Sequence, residues 1–229
     1  MILLAGTPGS GKTILATQFL HHGASKLGEK GIYVSLAEND NDYFRNMLTL
    51  GMDMKSLENK KLFKFMSFPT MEEVGMKLVI DEMMNEISKF GAKRLVVDSI
   101  SAFLQILGPA EARKFLHVFF GKIVKSMGVT AIIIGEIPHG ESKIGFGIEE
   151  FVVDGIIRLT STMAIQSEKN ELSILKMRGI SVERRSFEYL IDRTSGGIGL
   201  IAFPLRLEAE TAPLERVTTG IRGLDKMLD

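Results

Sequence analysis

A glycine-rich segment near the amino end constrains the fold of this chain more than any other feature. The segment fits the pattern G-x-x-x-x-G-K-[ST]. Its residues are Gly6, Thr7, Pro8, Gly9, Ser10, Gly11, Lys12 and Thr13. The flanking residues predict an apolar strand over 2–5 before the segment and a helix over 12–27 after it. A strand, a glycine loop and a helix in this order are typical of an α/β fold.

The residue types in this segment suit it to bind phosphate. Glycines allow successive backbone N–H groups to turn toward phosphate oxygens, and the following helix adds the positive end of its dipole. We expect Lys12 to reach the β- and γ-phosphates and the Thr13 hydroxyl to ligate Mg²⁺. The predicted ligand is a purine nucleoside triphosphate. A glycine-rich turn with an exposed lysine is the alternative interpretation.

Strand and helix patterns continue to alternate after this unit. Further strands are predicted over 32–37, 62–66, 94–98 and 129–134. Further helices are predicted over 42–50, 71–90 and 110–127. After Gly135, short apolar runs without intervening helices predict antiparallel strands over 151–159, 172–177, 187–191 and 198–203. The expected fold is therefore α/β, with a mostly parallel sheet flanked by helices and extended by antiparallel strands at the carboxyl end.

The amino-acid composition excludes several kinds of functional site and gives no sign of others. The 28 Lys and Arg balance the 28 Asp and Glu, so charge does not indicate nucleic acid as a partner. The sequence has no Cys, which excludes disulfides, thiolate metal sites and cysteine nucleophiles. The apolar amino end is short and lacks basic residues, so we do not expect a signal sequence, and no stretch approaches the ~18 apolar residues of a membrane span. We expect a cytoplasmic protein that does not contact a membrane.

Two acidic residues follow predicted buried strands. Asp98 ends the run Leu95-Val96-Val97 and is expected to hold the hydrated Mg²⁺ from the side opposite Thr13. Its alternative role is a helix N-cap together with Ser99. Glu38 follows the 32–37 strand and is expected to polarise the attacking water. The alternative for Glu38 is a solvated loop acid beside Asn39 and Asp40.

Taken together, these motifs resemble the KaiC-like ATPases of the RecA superfamily. The similarity rests on six segments in order along nearly the whole chain. They are the phosphate loop, Gly31 to Glu38, Leu50 to Asp53, Val97 to Ser99, Gly147 to Gly155, and Lys176-Met177-Arg178-Gly179. The resemblance implies a RecA-like core that binds and hydrolyses ATP with Mg²⁺.

The resemblance also implies roles for particular residues. Glu38 falls on the family's catalytic glutamate, whereas Ala37 replaces the first of two adjacent glutamates, so turnover is expected to be slow. Lys176 and Arg178 fall on two cations that reach a neighbouring subunit's γ-phosphate, as arginine fingers do. On the sequence alone, solvated surface charges are the alternative interpretation. Further nucleotide contacts are expected at Ile14, Thr49 and Asp192.

A site completed by a neighbour implies a homo-oligomer, expected to be a closed hexameric ring. The ATPase domain is assigned to 1–207, without the segment that opens such domains in the family. The remainder, 208–229, is assigned as a linker and the start of a second module, because Val217 to Leu228 resembles that opening segment. A competing hypothesis is that this tail folds back into the place of the missing opener.

Two other functions are compatible with this fold. A DNA recombinase-like ATPase would need a long basic loop after the fifth strand, but residues 135–147 carry Glu136, Glu141, Lys143 and His139. A nucleotide-gated scaffold would bind ATP between subunits without appreciable hydrolysis, and Ala37 would then reflect lost catalysis.

Overall fold

The computed structural model describes residues 1–68, 73–101, 107, 109–137, 152–163, 168–183 and 185–201. The assigned tail 208–229, the domain boundary at 207 and most of the 135–147 loop lie outside these ranges. Among the described residues, no helix combines the length and apolar character needed to cross a membrane.

One sheet organises the described part of the chain. Its spatial order is β3-β2-β4-β5-β1-β6-β7-β8-β9. The strands are β1 (Ile2–Gly6), β2 (Gly31–Ser35), β3 (Phe63–Ser67), β4 (Arg94–Asp98), β5 (Thr130–Glu136), β6 (Gly155–Met163), β7 (Glu168–Met177), β8 (Ser186–Asp192) and β9 (Gly197–Leu200). Strand β1 lies near the centre, so the loop that follows it opens from the middle of one sheet edge.

Strand directions confirm a parallel sheet with an antiparallel extension. Strands β1 to β5 pair in parallel, and β7, β8 and β9 follow one another in antiparallel pairs. The predicted 151–159 strand lies later in the chain than expected, and of its two pairings only the one with β7 is antiparallel. Its counterpart β6 pairs in parallel with β1, and the reversal occurs between β6 and β7. A short apolar run does not encode which neighbour it will join.

Helices flank the sheet on both faces, as expected. They are α1 (Lys12–Leu27), α2 (Asp40–Thr49), α3 (Met54–Asn59), α4 (Glu73–Phe90) and α5 (Pro109–Phe115). The short helix α3 was not predicted. The predicted helix over 110–127 instead consists of α5 followed by a π-helical stretch, Leu116–Val124.

Alternation along each inner strand supplies two apolar cores in the described region. In β1, Leu4 packs on the side of α1, α2 and α3, while Leu3 and Ala5 pack on the side of α4 and α5. These side chains are at most 1% exposed. A parallel strand buried on both faces is a rigid support. The loop after β1 is therefore held between two packed layers.

Candidate functional site

The phosphate-loop segment forms a tight turn between β1 and α1. Gly9 and Gly11 have φ values of 80° and 84°, a region that favours glycine. A Cβ atom at Gly6 would lie 2.5 Å from the carbonyl oxygen of Leu159 and 2.6 Å from Ser10 Oγ. The turn thus needs glycine for its backbone conformation and for its close approach to β6.

Hydrogen bonds fix the loop from inside and from the sheet. Ser10 Oγ and Lys12 Nζ both donate to the carbonyl oxygen of Thr7, at 2.8 and 2.9 Å. From β8, the buried Tyr189 hydroxyl donates to the carbonyl oxygen of Ser10 at 2.6 Å. Burial lowers the pKa of the Lys12 ammonium, although the carboxylates of Glu136 and Asp98 act to raise it.

A short polar chain links the start of α1 to the end of β4. Thr13 Oγ1 donates to Asp98 Oδ2 at 2.8 Å, and the Tyr33 hydroxyl donates to the same oxygen at 2.5 Å. The structure therefore brings together the two residues that the sequence predicts as magnesium ligands. A hydroxyl and a carboxylate are the hard oxygen donors that Mg²⁺ prefers, so this donor set fits the cation.

Glu38 lies in the connection between β2 and α2 rather than at the end of a strand. The predicted 32–37 strand stops at Ser35, because Ser35 Oγ accepts from the backbone N–H groups of Ala37 and Glu38 at 3.3 and 2.8 Å. Ser67 Oγ in turn donates to the carbonyl oxygen of Glu38 at 3.0 Å. These bonds hold the Glu38 backbone beside the carboxyl ends of β2 and β3.

The Glu38 carboxylate faces a mixed environment. Partial burial is the largest cause that raises its pKa, and the nearby charges of Asp98 and Asp42 raise it further. Asn46 Nδ2 donates to Glu38 Oε1 at 3.1 Å and opposes this shift. A carboxylate with a raised pKa is a stronger base than an ordinary glutamate, which suits a group that accepts a proton from water.

Several of the predicted site residues line an open cleft of about 450 Å³. Its lining residues are Thr13, Ile14, Glu38, Asn46, Met47, Thr49 and Leu50. Thr49 borders the cleft, although its hydroxyl donates to the Asn46 carbonyl oxygen at 2.7 Å. Asp192 is not among the lining residues. Its carboxylate caps the β8–β9 turn, where Ser195 N and Oγ both donate to it at 2.8 Å and lower its pKa.

The structure does not bring Lys176 and Arg178 to this loop. Gly6 pairs with Leu159 in the middle of β6, whereas Met177 pairs with Gly155, the first residue of that strand. The Arg178 side chain is 58% exposed and lies 3.8 Å from Asp154. Within one copy, these cations therefore lie toward the opposite end of the strands from the phosphate loop.

Sequence reasoning missed the residues that support the site. Tyr33 and Tyr189 occur within apolar strand patterns, which predict core packing, and their hydroxyl partners are 65 and 179 residues away in sequence. Ser35 carries a weak local signal, because a serine that binds the N–H groups two or three residues later is typical of a strand that ends in a turn. Asn46 offers no such signal.

The comparisons with known proteins agree on one family. A family model described as "ATPase: KaiC" matches residues 1–202. Circadian clock oscillator protein KaiC from Prochlorococcus marinus subsp. pastoris is 30% identical over 98% of the chain and 45% of its own length. KaiC from Parathermosynechococcus lividus is 31% identical, with 98% and 43% covered. The chain thus spans about half the length of these relatives.

A solved structure is also similar. The crystal structure of a KaiC-like protein from the hyperthermophilic archaeon Pyrococcus horikoshii OT3 superposes with a TM-score of 0.75. The two chains are 30% identical, and the match covers 88% of each.

Proposed function

The chain belongs to the KaiC family of ATPases, and from that premise we propose that it binds and hydrolyses ATP with Mg²⁺ at the boundaries between identical subunits of a ring. The observation that carries the proposal is the convergence of Lys12, Thr13, Asp98 and Glu38 at one edge of the sheet. An anion cradle, two hard oxygen ligands and a carboxylate base are the parts that phosphoryl transfer to water requires.

The loop residues bind and orient the triphosphate in this proposal. Lys12 exchanges its bond to the Thr7 carbonyl for the terminal phosphates, which are stronger acceptors because they are charged. Thr13 and Asp98 hold Mg²⁺, which neutralises charge on the phosphate oxygens when it is bound. The Thr13 hydroxyl donates its single proton to Asp98, so the lone pairs of its oxygen would be available to Mg²⁺.

Glu38 acts on the water side of the reaction. Its carboxylate lines the same cleft as Thr13 and accepts the proton that the attacking water loses. Ala37 occupies the first of the two positions at which the family carries glutamates. Glu38 is therefore the one glutamate of this pair that acts as base, and we expect slow turnover. Asn46 holds one carboxylate oxygen, so the other remains directed to water in this proposal.

The position of Lys176 and Arg178 supports a site shared between subunits. The two side chains lie at the edge opposite their own loop, so they would serve the loop of an adjacent copy. A head-to-tail contact of this kind repeats around a closed ring, and a hexamer is the ring we propose. A cation placed against the transferring phosphate stabilises the charge of the transition state.

Phosphate release from ATP tests the proposal directly. The wild type should release phosphate only with Mg²⁺, Lys12→Ala should lose nucleotide binding, and Glu38→Gln should keep binding but lose release. Lys26→Ala and Glu82→Gln are matched controls, because both side chains are exposed and lie outside the cleft. Unchanged release in both site variants would refute the proposal.

A further inference from the structure

Tyr33 is a buried tyrosine whose hydroxyl points toward the site rather than into the core. Its side chain lies within an aromatic cluster, with ring centroids 4.7 Å from Tyr43 and 5.6 Å from Phe65, and the residue is 1% exposed. A buried tyrosine hydroxyl needs a hydrogen-bond partner. Here the partner is the carboxylate of Asp98, at 2.5 Å.

The two donors to Asp98 act on a single oxygen. Among the described residues, the hydrogen bonds to this carboxylate come from Thr13 and Tyr33, and both end on Oδ2. Two donors on one oxygen restrict the rotation of the carboxylate about its Cβ–Cγ bond more than the Thr13 hydroxyl alone would. Oδ1 is then the oxygen left for a cation or its water.

Tyr43 is a neighbouring buried tyrosine whose hydroxyl contacts another hydroxyl instead of a carboxylate. Its ring belongs to the same cluster and is 0% exposed, but its hydroxyl pairs with the Thr17 hydroxyl at 3.0 Å. Thr17 lies one helical turn beyond Thr13 on α1. The Tyr43 hydroxyl thus contacts α1, whereas the Tyr33 hydroxyl contacts Asp98, a predicted magnesium ligand.

From this geometry we propose that Tyr33 is a positioning residue of the magnesium site, whose hydroxyl holds Asp98 in the orientation that presents it to the cation beside Thr13. The inference rests on the proposed function, since it concerns the cation that function requires. Partners that orient a metal ligand typically contribute 10–100-fold to metal affinity. Phenylalanine at position 33 removes the hydroxyl and keeps the ring that fills the cluster.

The test compares Tyr33→Phe with Tyr43→Phe. Binding of a fluorescent ATP analogue is measured at fixed, subsaturating nucleotide while Mg²⁺ is titrated, and again in EDTA. Tyr33→Phe should raise the Mg²⁺ midpoint by about tenfold and leave the affinity in EDTA unchanged. Tyr43→Phe should keep the wild-type midpoint within about twofold. Equal midpoints in all three proteins, or an equal rise in both variants, would overturn the inference.

A second measurement needs no change at position 33. The sequence has three tyrosines, so 3-fluorotyrosine incorporation gives three ¹⁹F signals, and Tyr43→Phe and Tyr189→Phe identify two of them. Adding Mg²⁺ to the nucleotide complex should shift the Tyr33 signal more than the Tyr43 signal. An unmoved Tyr33 signal, in a wild type whose nucleotide binding depends on Mg²⁺, refutes the inference alone. A wild type without that dependence refutes the proposed function and the inference with it.

Discussion

Mixing two inactive variants tests whether Lys176 and Arg178 serve a neighbour. The first variant carries Arg178→Ala and keeps Glu38, and the second carries Glu38→Gln and keeps both cations. Each should be inactive alone, since removal of a finger of this type costs ~10³-fold or more in rate. We expect the cations to serve a neighbour because they lie far from their own loop. Met177 pairs with Gly155 and Gly6 pairs with Leu159, and these two residues of β6 are four positions apart, ~13 Å along the strand.

The recovery expected on mixing follows from counting interfaces. After subunit exchange at equal amounts, a productive interface needs the loop of the first variant and the cations of the second. Random assembly forms that combination at about a quarter of interfaces, whatever the number of subunits in the ring.

Phosphate release per subunit, before and after exchange, measures this recovery. About a quarter of the wild-type rate should return. A mixture that remains as inactive as its components would refute a shared site, because cations acting on their own loop cannot be rescued by a partner. A control mixture of each variant with itself, carried through the same exchange, should show no recovery.

Three further predictions follow from the site. Because burial and neighbouring carboxylates raise the pKa of Glu38, the acid limb of the pH–rate profile should lie above the ~4.3 of an ordinary glutamate; a limb at or below that value would contradict its role as base. Asp98→Asn should reduce the Mg²⁺ stimulation of nucleotide binding by about tenfold or more, measured as the ratio of affinities with Mg²⁺ and with EDTA, and an unchanged ratio would remove Asp98 from the metal site. Tyr189→Phe leaves the Ser10 carbonyl oxygen without its buried donor and should lower the unfolding free energy by about 1–3 kcal/mol in a denaturant titration. A change well below ~0.5 kcal/mol would show that this bond does not support the loop.

Local signals made part of the fold predictable from sequence. Helix α1 begins and ends where predicted, because Gly11 and Gly28 adopt left-handed conformations at its two ends. The six-residue helix α3 escaped prediction, although Asp53 accepts from the Ser56 N–H group at its start. The π-helical stretch had no local signal, since its difference from an α-helix depends on packing against the rest of the fold.

The candidate site also contains residues that local sequence signals predict and residues that they do not. The spacing of Lys12 and Thr13 and the strand that ends at Asp98 are local features, and in the structure the Thr13 hydroxyl donates to Asp98. The support from Tyr33 and Tyr189 depends on which strands become neighbours. An apolar strand pattern treats both tyrosines as core residues, so their hydroxyls could be assigned only from the folded structure.

Thermal unfolding with and without nucleotide tests most directly whether residues 6–13 and Asp98 hold a magnesium-bound triphosphate. A ligand at a hundred times its Kd stabilises the folded state by about 2.7 kcal/mol. For a chain of this length each kcal/mol raises Tm by ~2–4 °C, so Mg²⁺ and ATP together should raise it by about 5–10 °C. The rise should be smaller with EDTA and absent in Lys12→Ala. A wild-type Tm that stays unchanged at millimolar Mg²⁺ and ATP would contradict the account.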